Sequence, residues 1–324
     1  MCTAINETRG RHLFGRTLDL EYSLSEQAVI TPRRFELNFL HEPPLKNHLA
    51  IIGIAHVSDE TPLYYDAANE AGLAAAGLNF GGSAKYSEPQ KSTRNIASFE
   101  LIPWVLGQCK SVSEAAELLK NTTITDDSFS ASLPATPMHW LIGDRTGSIA
   151  VEPTADGLKI CDNPFGVLTN EPPLDYHLTN IKNYMSLTPI PPQNTLCPDI
   201  KLKPYSRGMG AIGLPGDFSS ASRFVRAVFV KSHTLTESDK PEAVNRFFRI
   251  MDSVSVPRGC IVTDGGKAVS TVYASCADTE SATYYFSTYG DRSVRSLRLS
   301  CENIDSSEIF ANPIVSNLPD ELCI

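Results

Sequence analysis

Cys2 is the first residue of the chain able to do chemistry. Methionine aminopeptidases act when the second residue is small, so removal of Met1 leaves a thiol and an α-amine on one residue. An α-amino group titrates near pH ~8, so close to neutrality part of it is unprotonated and can take the thiol proton. Arg16 and Asp19 come next. Residues 2–5 and 13–18 read as two strands, and Arg9-Gly10-Arg11 supplies the turn between them. A hairpin centred near Gly10 pairs positions whose numbers sum to about twenty, which sets Cys2 opposite Leu18. Arg16 and Asp19 then lie at the same end of the ribbon. Arg16 can hold a thiolate or a substrate carboxylate, and Asp19 can accept hydrogen bonds from the amine.

The rest of the chain bounds what this nucleophile can serve. The 324 residues, 42% of them apolar and 20% charged, suffice for a sizeable core and exclude wholesale disorder. A formal charge of −9 repels a phosphate backbone, so nucleic acid is disfavoured as a partner. The longest clean apolar run, residues 49–55, is far short of the roughly 20 needed to cross a bilayer, and no apolar signal segment opens the chain. A soluble cytoplasmic protein is expected. The eight cysteines show no C-x-x-C pair and no H-E-x-x-H accompanies them, so neither a metal nor a cofactor is expected. Gly208-Met209-Gly210-Ala211-Ile212-Gly213 fits G-x-G-x-x-G, but prolines precede it and Leu-Pro-Gly follows, the wrong setting for a dinucleotide loop.

Met1-Cys2-Thr3 followed by Phe14-Gly15-Arg16-Thr17-Leu18-Asp19 resembles the start of the choloylglycine hydrolases, the bile salt hydrolases and penicillin V acylases of the N-terminal-nucleophile class. The likeness continues in order through Asn69-Glu70-Ala71-Gly72-Leu73, Ala76-Gly77-Leu78-Asn79-Phe80, Gly166-Val167-Leu168-Thr169-Asn170-Glu171-Pro172 and Leu214-Pro215-Gly216-Asp217-Phe218-Ser219-Ser220-Ala221-Ser222-Arg223-Phe224. It implies Cys2, Arg16, Asp19, Asn79, Asn170 and Arg223 as the catalytic set, with Asn79 and Asn170 donating to the oxyanion and Arg223 beside the nucleophile. Asn79 stands where bile salt hydrolases carry asparagine and Gram-positive penicillin V acylases usually have tyrosine. Glu171 departs from the commonest asparagine of its block and changes the local charge.

The resemblance implies an α+β fold, a four-layer αββα sandwich of two antiparallel sheets in one domain spanning 1–324. Helices are expected over 92–108, 111–120 (with a Ser-x-x-Glu capping box), 218–231 and 241–253. The Pro-rich stretch 187–204 is then an excursion, which in the family takes part in tetramer assembly. The implied substrate is a conjugated bile acid, its steroid walled by Leu20, Tyr22, Phe129, Leu133 and Pro134. Ser206-Arg207 carries the Ser-Arg-x pattern associated in the family with glycine over taurine conjugates. Penicillin V or another N-acyl amide is the alternative substrate. A non-catalytic binding homologue is the other class of reading, against which the intact catalytic set speaks.

Overall fold

The computed structural model describes residues 1–236 and 239–314; Cys323 lies outside these. Two antiparallel sheets lie face to face. One has seven strands: Val167–Leu168, Cys2–Glu7, Leu13–Leu20, Ala268–Asp278, Thr283–Thr288 and Arg295–Arg298 side by side, with Ile261–Val262 paired to Ala268–Asp278. The other has eight, in the order Gly157–Asp162, Gly147–Thr154, Met138–Asp144, Ala74–Asn79, Thr61–Asn69, Ile51–Ser58, Gln27–Thr31 and Phe310–Pro313.

Helices close both outer faces. Leu101–Gln108 and Val112–Leu119 lie on the eight-stranded sheet, while Ser220–His233 and Lys240–Asp252 lie on the seven-stranded one. A short helix, Leu174–Asn180, packs beside Ser220–His233. Trp104, Leu106, Trp140 and Ile142 fill the first helix–sheet layer, and Ala4, Leu18, Ala76, Leu78 and Leu141 belong to the core that runs between the sheets. The expected αββα sandwich is what the chain forms.

The hairpin that carries Cys2 has the expected register, Cys2 opposite Leu18 and Ala4 opposite Arg16. Gly10 turns it with φ 74°, a conformation that favours glycine. The next strand presses so closely that a Cβ on Gly15 would lie 2.0 Å from the Ser275 carbonyl oxygen. That strand, Ala268–Asp278, slips register between Thr271 and Tyr273, opposite Asp19 and Leu18. Such a bulge re-aims neighbouring side chains, and here it lies opposite Leu18, the partner of Cys2.

Three expected helices form within two residues of their expected bounds. Ser111 caps Val112–Leu119 by accepting from the Glu114 N–H, but the Glu114 carboxylate turns to the Lys110 N–H instead of closing a reciprocal box. Ser219 caps Ser220–His233 in the same way, accepting from the Ser222 N–H at 3.3 Å. The helix expected over 92–108 is α-helical only from Leu101 to Gln108. Arg94–Ala97 instead pairs in parallel with the β-branched run Thr122–Thr125, and a 3-10 turn, Ser98–Glu100, links it to the helix. The Glu100 carboxylate takes the N–H groups of Ala97 and Leu40, which ties that turn down.

Candidate active site

Strand geometry decides which side of the sheet each residue of the hairpin serves. Side chains two apart share a face, so Cys2, Arg16, Leu18 and Leu20 point between the sheets while Thr3, Thr17 and Asp19 point toward the helices. The first group lines a cavity of about 380 Å³. Cys2 lies at its floor, 3% exposed, with the Arg16 Nη2 group 2.5 Å from its sulfur. Arg16 is itself fixed by the carbonyls of Tyr65 at 3.1 Å, Gly77 at 2.5 Å and Thr17 at 3.3 Å. Burial works against its charge, yet the Cys2 sulfur, Tyr273, Asp66 and Asp19 outweigh burial and hold the guanidinium above its usual range.

Asp19 is on the other face, so the three-residue step from Arg16 does not make the two a pair over the sulfur. Its carboxylate accepts from Thr271 Oγ1 at 2.7 Å and Thr17 Oγ1 at 3.3 Å, and its backbone carbonyl, not its side chain, takes the Met1 amine at 2.6 Å. Burial pushes the Asp19 carboxyl up, against the pull of Arg223, Thr271, the chain's amine and Arg16.

Arg223 enters from the helix side. It is fully buried and donates to the Cys2 carbonyl, to Thr3 Oγ1 at 2.7 Å and to Asn170 Oδ1 at 2.7 Å. Arg223 therefore grips the backbone of Cys2, and the cation hydrogen-bonded to its thiol is Arg16. Asn170 Oδ1 also accepts the Cys2 N–H at 2.8 Å, and its Nδ2 donates to the Asn79 carbonyl at 2.8 Å, which leaves one amide hydrogen. Ser220 Oγ accepts the Asn170 N–H at 2.9 Å, and His177 Nε2 lies 3.2 Å from the Asn170 carbonyl. Burial lowers the titration of His177, which keeps that imidazole neutral and able to donate.

Asn79 ends its strand and lines the same cavity as Cys2. The turn after it is held by Glu171, whose carboxylate accepts from the N–H groups of Gly82 and Ser83 and from Ser83 Oγ at 2.7–2.9 Å. The unexpected charge at 171 thus has donors of its own and joins the Asn79 turn to the Asn170 segment.

The cavity walls include the five residues singled out in sequence, Leu20, Tyr22, Phe129, Leu133 and Pro134. Leu24, Leu63, Tyr65, Phe99 and Met138 are among the others, and no motif in the sequence marks these. Ser206 and Arg207 do not reach it: they are exposed, on the turn before Met209–Ala211, and are not among the lining residues. Gly208–Gly213 follows no strand and opens only that single 3-10 turn, so it is no phosphate cradle.

Residues 2–312 match the family of linear amide C–N hydrolases described as the choloylglycine hydrolase family. A bile salt hydrolase/transferase of Lactiplantibacillus plantarum is 45% identical over 98% of both chains, and one of Clostridium perfringens is 37% identical over 95% of both. The crystal structure of a mutant conjugated bile acid hydrolase from Clostridium perfringens superposes with a TM-score of 0.91 at 35% identity, covering 99% of each chain. A penicillin V acylase from Agrobacterium tumefaciens shares the fold at 20% identity and a TM-score of 0.76, over 96% of this chain and 90% of that one. With a buried N-terminal-side cysteine at the floor of a cavity and relatives of this closeness across its whole length, the chain belongs to the choloylglycine hydrolase family and is a linear amide C–N hydrolase.

Proposed function

We propose that the protein hydrolyses the amide bond of conjugated bile acids, glycine conjugates in preference to taurine ones, with Cys2 as nucleophile once Met1 is removed. The observation that carries this is a thiol 2.5 Å from a buried guanidinium at the floor of a largely apolar cavity of about 380 Å³. Near relatives named bile salt hydrolase/transferase support the substrate.

The reaction follows from the groups in place. The Cys2 α-amine, where Asn170 Oδ1 accepts from that nitrogen, takes the thiol proton directly or through water. The sulfur forms a bond to the amide carbon, and the electron pair moves to oxygen, where the side-chain amides of Asn79 and Asn170 donate to it. Collapse breaks the C–N bond, and the departing amine leaves with the proton held by the α-ammonium. Water, giving its proton to the α-amine, then attacks the thioester and releases sulfur. Leu18, Leu20, Tyr22, Leu63, Phe129 and Leu133 would cover the steroid.

Side-by-side turnover of glycocholate, taurocholate and penicillin V tests the substrate. The reading expects glycocholate to have the highest kcat/KM; faster penicillin V turnover would replace it with an acylase. Equal values for the two conjugates would remove the glycine preference, which rests on the Ser206-Arg207 resemblance. Those two residues could touch a substrate only across an interface with another copy of the chain.

That copy belongs to the proposal. The Pro-rich excursion 187–204 exposes Ile190, Leu196, Ile200 and Leu202, and Met185 and Tyr205 are exposed at its two ends, an apolar cluster that supports its use in a homotetramer.

A further inference from the structure

Asp66 is a buried carboxylate that the reaction above does not use. It stands on Thr61–Asn69, in the sheet opposite the nucleophile, and is 1% exposed. Three hydroxyls from the facing sheet converge on it. Tyr273 OH donates to Oδ1 at 2.6 Å, while Ser275 Oγ at 2.8 Å and Tyr284 OH donate to Oδ2. A carboxyl sunk this deep would shed its charge unless it were paired or well hydrogen-bonded. Burial does push it up, and Arg16 with the three hydroxyls pull it back toward ionisation.

The carboxylate forms no direct ion pair with Arg16, yet two paths join them. Ser275 Oγ accepts the Arg16 N–H at 3.0 Å while donating to Asp66. The carbonyl before Asp66, that of Tyr65, accepts from Arg16 Nη1 at 3.1 Å. The same guanidinium then reaches the Cys2 sulfur with its other nitrogen.

We infer that Asp66 is a positioning residue for the nucleophile: through Ser275 and the Tyr65 carbonyl it fixes Arg16, and its charge offsets part of the field that Arg16 exerts on the Cys2 sulfur. The ionisable groups that act on Asp66 are Arg16 on the second strand, Tyr273 on Ala268–Asp278 and Tyr284 on Thr283–Thr288, and Arg16 in turn feels Cys2 and Asp19. The tyrosines are pushed up by burial and stay neutral, so Arg16 is the permanent charge that Asp66 faces. A second negative charge keeps the sulfur from becoming too stable an anion. A thiolate held by an uncompensated arginine ionises more readily but attacks less strongly, because nucleophilicity falls with pKa.

The test reads the sulfur without a substrate, so it stands apart from the bile-acid proposal. The rate of Cys2 carboxamidomethylation by iodoacetamide is followed against pH by mass spectrometry of the N-terminal peptide, with Met1 removal verified in each protein. That peptide is needed because Cys260 and Cys301 are exposed and will react too. In Asp66→Asn the acid limb moves to lower pH by about one unit, and the plateau rate falls about threefold. Tyr284→Phe removes one donor from the carboxylate, weakens its charged form, and moves the limb the same way by less. Should Asp66→Asn not fold, Tyr284→Phe alone decides. A limb that stays in place in the folded variants, or moves to higher pH, overturns the inference; a merely structural role would lower stability without moving it.

Discussion

At the residue scale the site is organised by one sulfur and the two arginines that hold it from opposite faces of a sheet. Arg16 contacts the thiol and Arg223 the carbonyl of the same residue, so the two cations cannot replace one another. Arg16→Lys keeps the charge but not the planar set of donors that meets three carbonyls and the sulfur at once. Turnover is expected to fall at least tenfold while the fold survives, as circular dichroism would show; an unimpaired kcat would contradict the placement. Asn79→Ala removes one of the two proposed oxyanion donors and should lower kcat about a hundredfold, about 3 kcal/mol, with KM little changed. A rise in KM at constant kcat would assign Asn79 to substrate binding alone. How much of this was legible in the sequence differs by residue. Cys2, Arg16 and Asn79 sit in recognisable blocks and line the cavity together. That Arg223 meets the Cys2 carbonyl and leaves the sulfur to Arg16 was not legible, because it depends on which face of a pleat each side chain meets. Asp66 was hidden for another reason: Arg16, Asp66, Tyr273, Ser275 and Tyr284 come from four strands of two sheets and form no pattern along the chain.

At the scale of elements the first hairpin carries both chemistry and stability. Its register follows from one turn and the alternation of its strands, which is why it could be read without coordinates. The neighbouring strand's bulge at Thr271–Tyr273 could not, since nothing in that run of residues marks a slipped partner. The helix expected over 92–108 fell short because Arg94–Ala97 finds a parallel partner in Thr122–Thr125, a tertiary pairing that overrides local preference. Gly15→Ala sets a methyl into the Ser275 carbonyl and should cost several kcal/mol, on the order of 3 or more, by denaturant unfolding. An unchanged midpoint would mean the strands are farther apart than described. His12, at the turn end of the hairpin, lies between Asn6 Oδ1 at 2.8 Å and Thr279 Oγ1 at 2.6 Å. Burial lowers its titration from 6.5 to about 4. The unfolded chain therefore binds the extra proton first as pH falls from 6.5 to 4. The stability His12 contributes is complete above pH 6.5 and is lost across that window, up to about 3 kcal/mol. Denaturant unfolding at several pH values should show the loss, and His12→Gln should flatten it; an equal slope in the variant would assign the acid sensitivity elsewhere.

At the scale of the whole molecule, the sandwich brings the ends of the polypeptide's early, middle and late segments to one cavity: residues near 2–24, 56–79, 98–99 and 129–138 line it, while 170 and 223 hold the nucleophile from behind. Apolar side chains in and next to the 187–204 excursion point out of this unit, with Leu196 84% and Tyr205 86% exposed. Leu196→Glu with Tyr205→Glu should convert the proposed tetramer to smaller species in sedimentation velocity and leave the secondary structure intact; a wild-type monomer would remove the assembly reading. The most direct measurement is acid-quenched mass spectrometry of the enzyme during turnover of a conjugated bile acid. Met1 should be absent and the acyl group should be found as a thioester on Cys2. Full turnover by chains that retain Met1, or an acyl group on any other residue, would contradict a nucleophile and base sharing the first residue.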